Sequence, residues 1–331
     1  MPKPPSRTAP TAPLADLELP AVDLDAPSWP LREVDIGGVS VTVRSTPSND
    51  SAAEPAVFVH GLGGSATNWT DFAGLLRGRL AVDAIDLYGH GHSGPAPRGR
   101  YTLDAFADLV IAYIEQSGRG PVHLAGNSMG GAISIVVASR RPDLIRTLTL
   151  VSPAVPDNRL RVYPMKHDKT MAVLILPLLG ELLVKQFNKR YAVDVRVKGT
   201  IKLCFAKPER FPPARMAEAV AEATYRADLP WAESAVLRSL RGLALSQFLR
   251  SSTAWKAMRA ITAPTLVLWG DEDRLVAPDL APYVAAAIPN SRLLVLEDIG
   301  HTAMMEDPVA SARAVIALLD SSRKASEGSV A

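Results

Sequence analysis

Apolar positions along this chain change period repeatedly, and each change marks an element. Residues 32–36 and 39–44 flank Gly37-Gly38, which predicts a β-hairpin. Residues 56–59, 80–86, 121–125 and 148–151 are short apolar runs of the kind found in strands buried on both faces. Between them, residues 72–76 belong to a helix. Residues 103–116 place Leu103, Phe106, Leu109, Val110, Tyr113 and Ile114 at helical spacing. A further helix over 130–140 stops near Pro142. Strand and helix in alternation predict a mostly parallel sheet with helices on both faces.

The alternation then breaks. Residues 153–259 read mainly as helices interrupted by prolines. Strand signals return at 265–269 and 293–296, and a last helix runs over 308–319. The expected organisation is an α/β core from 31–152 and 260–320, with 153–259 as a helical insertion over the sheet. Residues 1–30 are rich in Pro, Ala and Thr, so a disordered arm is expected there, and residues 321–331 are expected to be a flexible tail.

Composition sets limits on function. Of 331 residues 47% are hydrophobic and 21% charged, and the net charge of +2 gives no global field for nucleic acid. The one cysteine, Cys204, excludes a disulfide framework. The first residues lack the apolar segment of a secretory signal, and no stretch reaches the roughly 18 apolar residues of a spanning helix. A cytoplasmic protein acting on a small molecule is the expectation.

Candidate chemistry centres on Gly126-Asn127-Ser128-Met129-Gly130-Gly131, between a predicted strand and a predicted helix. A G-x-S-x-G sequence is meaningful in that setting, because a sharp strand-to-helix turn pushes the serine out at the carboxyl edge of the sheet. Gly126 and Gly130 remove side chains that would collide there. The helix start offers the Met129 N–H to an oxyanion. A serine hydroxyl needs a base, and the base needs an orienting acid. His301 lies in the loop after the last strand. The preceding loop offers Asp271, Glu272 and Asp273. A second oxyanion donor is expected from His60-Gly61-Leu62-Gly63-Gly64, with the N–H of Leu62 the natural choice. Gly61, Gly63 and Asn127 are candidates to touch substrate. His60 is a possible second base, although a role in fixing its loop by hydrogen bonds fits better, since one base suffices.

His60-Gly61, Asp86-Leu87-Tyr88-Gly89-His90-Gly91-His92-Ser93, the elbow around Ser128, Trp269-Gly270-Asp271-Glu272-Asp273 and Gly300-His301 occur in an order and spacing that resemble the α/β-hydrolase superfamily. The resemblance covers roughly residues 31–319, without most of the insertion. It implies the α/β-hydrolase fold, Asp273 as the acid and the insertion as a cap domain. It also implies a serine hydrolase of carboxylic esters working through an acyl-enzyme, without metal or cofactor. Haloalkane dehalogenases and epoxide hydrolases of the superfamily carry Asp at the elbow, whereas this chain has Ser128. The hexad around Ser128 is similar to that of meta-cleavage-product hydrolases, which cut C–C bonds. Thr302-Ala303-Met304-Met305 departs from the tryptophan those enzymes usually carry after the histidine, so C–C hydrolysis is the alternative. A slow or non-catalytic small-molecule receptor is the alternative from another class.

Two other features compete for attention. Gly89-His90-Gly91-His92-Ser93-Gly94 matches a dinucleotide fingerprint, but Pro95-Ala96-Pro97 follows where that fingerprint requires a helix. His90 and His92, without a clear carboxylate or cysteine set, read as structural rather than metal-binding. Residues 153–260 hold nineteen Lys and Arg against nine Asp and Glu, leaving the rest of the chain at −8. Lys185, Lys189, Arg190, Arg196, Lys198 and Lys202 follow an apolar run at 171–183. An ordinary cap whose apolar side covers the pocket is the simpler expectation. A lid that attracts anionic substrates or lies on an anionic membrane surface is the other.

Overall fold

Strands β1 (Leu31–Ile36), β2 (Val39–Thr46), β3 (Glu54–Val59), β4 (Leu80–Ile85), β5 (Val122–Asn127), β6 (Ile145–Val151), β7 (Thr265–Gly270) and β8 (Ser291–Leu296) form one sheet in the order β1-β2-β4-β3-β5-β6-β7-β8. This computed structural model describes residues 7–48, 50–157, 173–249 and 251–328. Strand β2 runs antiparallel to β1 and β4, and all other neighbours are parallel. The predicted hairpin is present. Gly37 and Gly38 take φ of 61° and 84°, the pair of positive values that a tight twisted hairpin turn requires.

Helices follow as α1 (Thr70–Leu76), α2 (Leu103–Ser117), α3 (Met129–Arg140), α4 (Leu179–Arg190), α5 (Val193–Cys204), α6 (Pro213–Ala227), α7 (Ala232–Leu249), α8 (Ser251–Arg259), α9 (Ala281–Ala287), α10 (Ala303–Glu306) and α11 (Pro308–Gly328). The apolar runs of the strands serve both sheet faces in alternation. In β3, Val57 and Val59 join the core beneath α2 and α3, whereas Ala56 and Phe58 join the core beneath α1 and α11. In β7, Val267 and Trp269 face the first core, and Leu266 and Leu268 the second. Two-sided burial is why these strands read as continuous apolar stretches instead of alternating ones.

The chain leaves β3 towards β4 on one side and returns to β5 on the other. Loops after β3, β4, β5, β7 and β8 therefore open at one carboxyl edge around this switch in strand order, where ligands bind in open parallel sheets.

Three boundaries differ from expectation. Residues 7–30 are laid along the core instead of being disordered. Thr11 bridges to Leu293, Ala12 N–H donates to Leu293 O at 2.8 Å, and Leu17, Leu19 and Val22 pack on the α1–α11 core. Compositional reasoning asks whether the arm can bury its own surface. Here a few apolar side chains use a groove that the core already provides, and the prolines lower the entropy lost on docking. Residues 1–6 of the expected arm lie outside the described residues. Second, α8 was expected in the insertion, yet it packs against α3 and α9 and buries Met258 in the core. Third, α11 continues to Gly328, so most of the expected tail is helical; residues 329–331 lie outside the described residues. So do residues 158–172 of the insertion, including the first two of its apolar run.

Candidate active site

Ser128 stands between β5 and α3 with φ 53° and ψ −118°, a left-handed backbone that an L-residue rarely adopts. The turn is held from three sides. Ser128 N–H donates to Val151 O at 3.0 Å, and Ser128 O accepts from Ala132 N at 3.0 Å and Ala154 N at 2.9 Å. A Cβ on Gly126 would strike the Gly130 carbonyl, and one on Gly130 would strike the carbonyls of Val59 and His60. These contacts are with backbone, which cannot yield, so both glycines are needed for β3, β5 and α3 to approach closely.

Asp273 and His301 are buried and joined, with His301 Nδ1 and Asp273 Oδ2 2.8 Å apart. The other carboxylate oxygen, Oδ1, accepts from the N–H groups of Leu275 (2.8 Å) and Val276 (3.0 Å), which fixes the acid against its own loop. Asp271 and Glu272 are exposed, so geometry alone selects Asp273 among the three carboxylates.

The histidine loop is secured by Asn127 and by groups that no sequence motif marks. Buried Asn127 donates its amide to Val151 O and to His301 O, both at 3.1 Å. Asn127, a candidate for substrate contact, thus uses its amide N–H groups to tie the histidine loop to the elbow. Buried Glu306, in α10, accepts from Gly300 N (2.7 Å), Ala206 N (3.0 Å) and Lys207 N (2.8 Å), which couples the histidine loop to the end of cap helix α5. His301 N–H in turn donates to Cys204 O at 2.7 Å. Burial pushes the Cys204 thiol up to about 12, with the nearby Asp273 and Glu306 charges adding to the shift. The thiolate needed for nucleophilic chemistry is therefore suppressed there.

The loop after β3 is arranged by His60. Its Nε2 accepts from Leu87 N at 3.0 Å, so Nδ1 carries the proton and donates to Gly61 O at 2.7 Å. Full burial lowers its pKa to about 4. With both nitrogens engaged and the ring neutral, His60 shapes the loop and is not a second base. A trans peptide is planar, so fixing the Gly61 carbonyl towards His60 aims the Leu62 N–H the opposite way. Gly61 lies against Ser128, since a Cβ placed on it would come 3.1 Å from Ser128 Cβ. Gly61 and Gly63, expected to touch substrate, both commit their carbonyls within the protein. Gly61 O accepts from His60 and Gly64, and Gly63 O from Arg226 Nη1 at 2.7 Å. Met129 is the first residue of α3, where an N–H has no partner in its own helix.

Arg226 reaches this loop from helix α6 of the insertion. Burial lowers its pKa, while Glu222 and Asp86 pull the other way; among the described residues no carboxylate forms an ion pair with it. Tyr225 beside it stacks on His92, with ring centroids 4.1 Å apart. At the other end of α6, Arg215 binds Asp71 of α1 and the carbonyls of Asp23 and Ala26 in the N-terminal segment. The face of α6 towards the core is thus polar, and polar faces carry no apolar signature by which a sequence search would find them.

The glycine-rich stretch at 89–94 is a loop packed around buried Asp86. That carboxylate accepts from Ala66 N, His92 N and Thr42 Oγ1, and no helix opens there. His90 is buried and its pKa is held well below the ordinary value by desolvation. Among the described residues, no group of three or more His, Cys, Asp and Glu side chains is placed to hold a metal.

Comparison with known proteins agrees with this fold. The alpha/beta hydrolase fold family matches residues 55–308. Lipase 1 of Psychrobacter immobilis is 26% identical over 256 residues, covering 77% of this chain and 73% of the lipase. Monoacylglycerol lipase abhd6-B of Xenopus laevis is 25% identical over 287 residues, covering 85% and 78% of the two chains. Among solved structures, a mutant haloalkane dehalogenase of Agrobacterium tumefaciens C58 superposes with a TM-score of 0.73 at 23% identity, covering 88% of this chain and 96% of that one. At that identity the likeness is one of fold.

Proposed function

This chain belongs to the α/β-hydrolase family, and from that premise we propose that it is a serine hydrolase cleaving a carboxylic ester of a partly hydrophobic small molecule. The observation that carries the reading is the buried Asp273–His301 pair, whose loop is tied through Asn127 to the turn that holds Ser128 in left-handed backbone geometry. The lipase names of its sequence relatives support ester bonds as the target.

Ser128 Oγ attacks the ester carbonyl while His301 Nε2 takes its proton. Asp273 keeps the imidazole in the tautomer with Nδ1 protonated and stabilises the cation that forms. The N–H groups of Leu62 and Met129 receive the oxyanion, and the fixed Gly61 carbonyl keeps the first of them aimed before substrate arrives. His301 then protonates the leaving alkoxide, and the acyl group remains on Ser128. Water attacks the acyl-enzyme and gives a proton to His301, which passes it to Ser128 Oγ as the acyl C–O bond breaks and the acid leaves. The serine at the elbow separates this chemistry from the dehalogenase structure that shares the fold.

Rapid mixing with p-nitrophenyl esters of increasing chain length tests the reading. The expected result is a burst of p-nitrophenol equal to the enzyme present, followed by slower turnover. A folded protein with neither burst nor turnover on any ester would contradict it.

A further inference from the structure

The sequence suggests that the apolar part of the insertion turns inward to cover a pocket. The structure turns much of it outward. Leu176, Leu178, Leu179 and Leu182 are 51%, 80%, 45% and 62% exposed, and Leu245 and Phe248 of α7 are 57% and 68% exposed. The two groups are neighbours. Arg241 of α7 donates to the carbonyls of Ile175 and Leu176 and binds Glu181 of α4 through both carboxylate oxygens. Leu245 and Phe248 lie one and two turns beyond Arg241 on the same face of α7. Leu178 also takes φ 67°, a costly conformation for a leucine that has no packing gain at this exposure. Strain combined with exposure is typical of a residue retained for contact with something outside the chain.

Charge selects the occupant. Within α4, Leu182, Lys185 and Lys189 follow one another at helical spacings of three and four, so they form one stripe, apolar at its start and basic at its end, with Leu178 at the residue before the helix. Arg190 is exposed beside them. The acid on this helix, Glu181, is consumed by Arg241, which lowers its pKa to about 2. The insertion as a whole carries a surplus of ten positive charges. A second copy of the chain is a poor fit, because a two-fold contact would set this basic patch against itself.

We propose that the outer face of α4 and the end of α7 dock on an anionic lipid surface, with the leucines and Phe248 entering the headgroup boundary and Lys185, Lys189 and Arg190 meeting lipid phosphates. Exposed apolar side chains supply the area term, and each lysine adds a salt-screened attraction to the leaflet. Docking here needs no catalytic group and stands apart from the ester-hydrolase reading.

Flotation of the full chain with phosphatidylcholine vesicles, with and without phosphatidylglycerol, tests the surface. Binding to the anionic vesicles only, weakened by salt, is expected. Lys185→Gln with Lys189→Gln should lower vesicle affinity by roughly 25-fold, about fivefold for each charge. Leu182→Asp should lower it by about tenfold or more, with an unchanged melting temperature and unchanged hydrolysis of a short soluble ester. No flotation on anionic vesicles at low salt would overturn the proposal. So would a concentration-dependent dimer in sedimentation that Leu182→Asp abolishes, since that assigns the patch to self-association.

Discussion

The carboxyl edge of the sheet and the outer face of the cap handle their side chains in opposite ways. At the sheet edge, polar groups are buried and individually bonded: Asp273 to His301, Asn127 to Val151 and His301, His60 to Gly61 and Leu87. On the cap, apolar groups lie open while carboxylates such as Glu181 and Asp194 are paired with Arg241 and Lys198. The first pattern preorganises a site, because buried dipoles held in place lose no free energy reorienting during reaction. The second leaves free energy to be gained when the face meets a partner.

The sharpest test of the first region is Asp273→Asn. It should preserve the fold and lower kcat by about 10⁴, through loss of the imidazole tautomer and of its stabilised cation. A loss below tenfold, read in steady-state ester hydrolysis, would mean that the buried pair does not serve catalysis. The contrast between regions is sharpened by two leucines. Leu148→Ala removes a fully buried side chain in β6 and should cost about 2–5 kcal/mol in denaturant unfolding. Leu182→Ala should change stability by less than about 0.5 kcal/mol. Equal costs would break the comparison.

Acid should act on the sheet edge through His60. Its folded pKa of about 4 lies below the ordinary 6.5. Above pH 6.5 both folded and unfolded chains are neutral there, and the stability is fully present. As pH falls the unfolded chain binds a proton that the folded one refuses, so stability declines towards pH 4, by about 3 kcal/mol in all. Unfolding curves between pH 7 and 4 should show this slope added to those of buried His90 and His123, whose pKa values are also lowered by desolvation, and His60→Gln should reduce it. A smaller effect on turnover than that of Asp273→Asn is expected at the junction of the two regions. Arg226→Met frees the Gly63 carbonyl and should lower kcat by about tenfold to a hundredfold with little change in KM. A change confined to KM would make Arg226 a binding residue instead.

The same contrast explains what the sequence revealed. The sheet was readable because two-sided burial leaves short apolar runs, and the elbow because sterics demand glycine on both sides of Ser128. Within the run of three acids nothing local separates Asp273 from Asp271 and Glu272; the family resemblance points to it, and burial sets it apart in the structure. Asn127, Glu306 and Arg226 act through partners that are distant in sequence, so no local spacing points to them. The N-terminal segment was misjudged because its few apolar residues are buried by the core rather than by one another. In the cap the apolar run was visible, but its direction was not, since helical period gives a face without saying what the face meets.

The central claim is that Ser128 is the nucleophile, and labelling with a fluorophosphonate tests it most directly. The account predicts a single phosphonylated peptide, the one containing Ser128, and no label on folded Ser128→Ala. Label on another residue, or a folded wild-type chain that stays unlabelled, would contradict it.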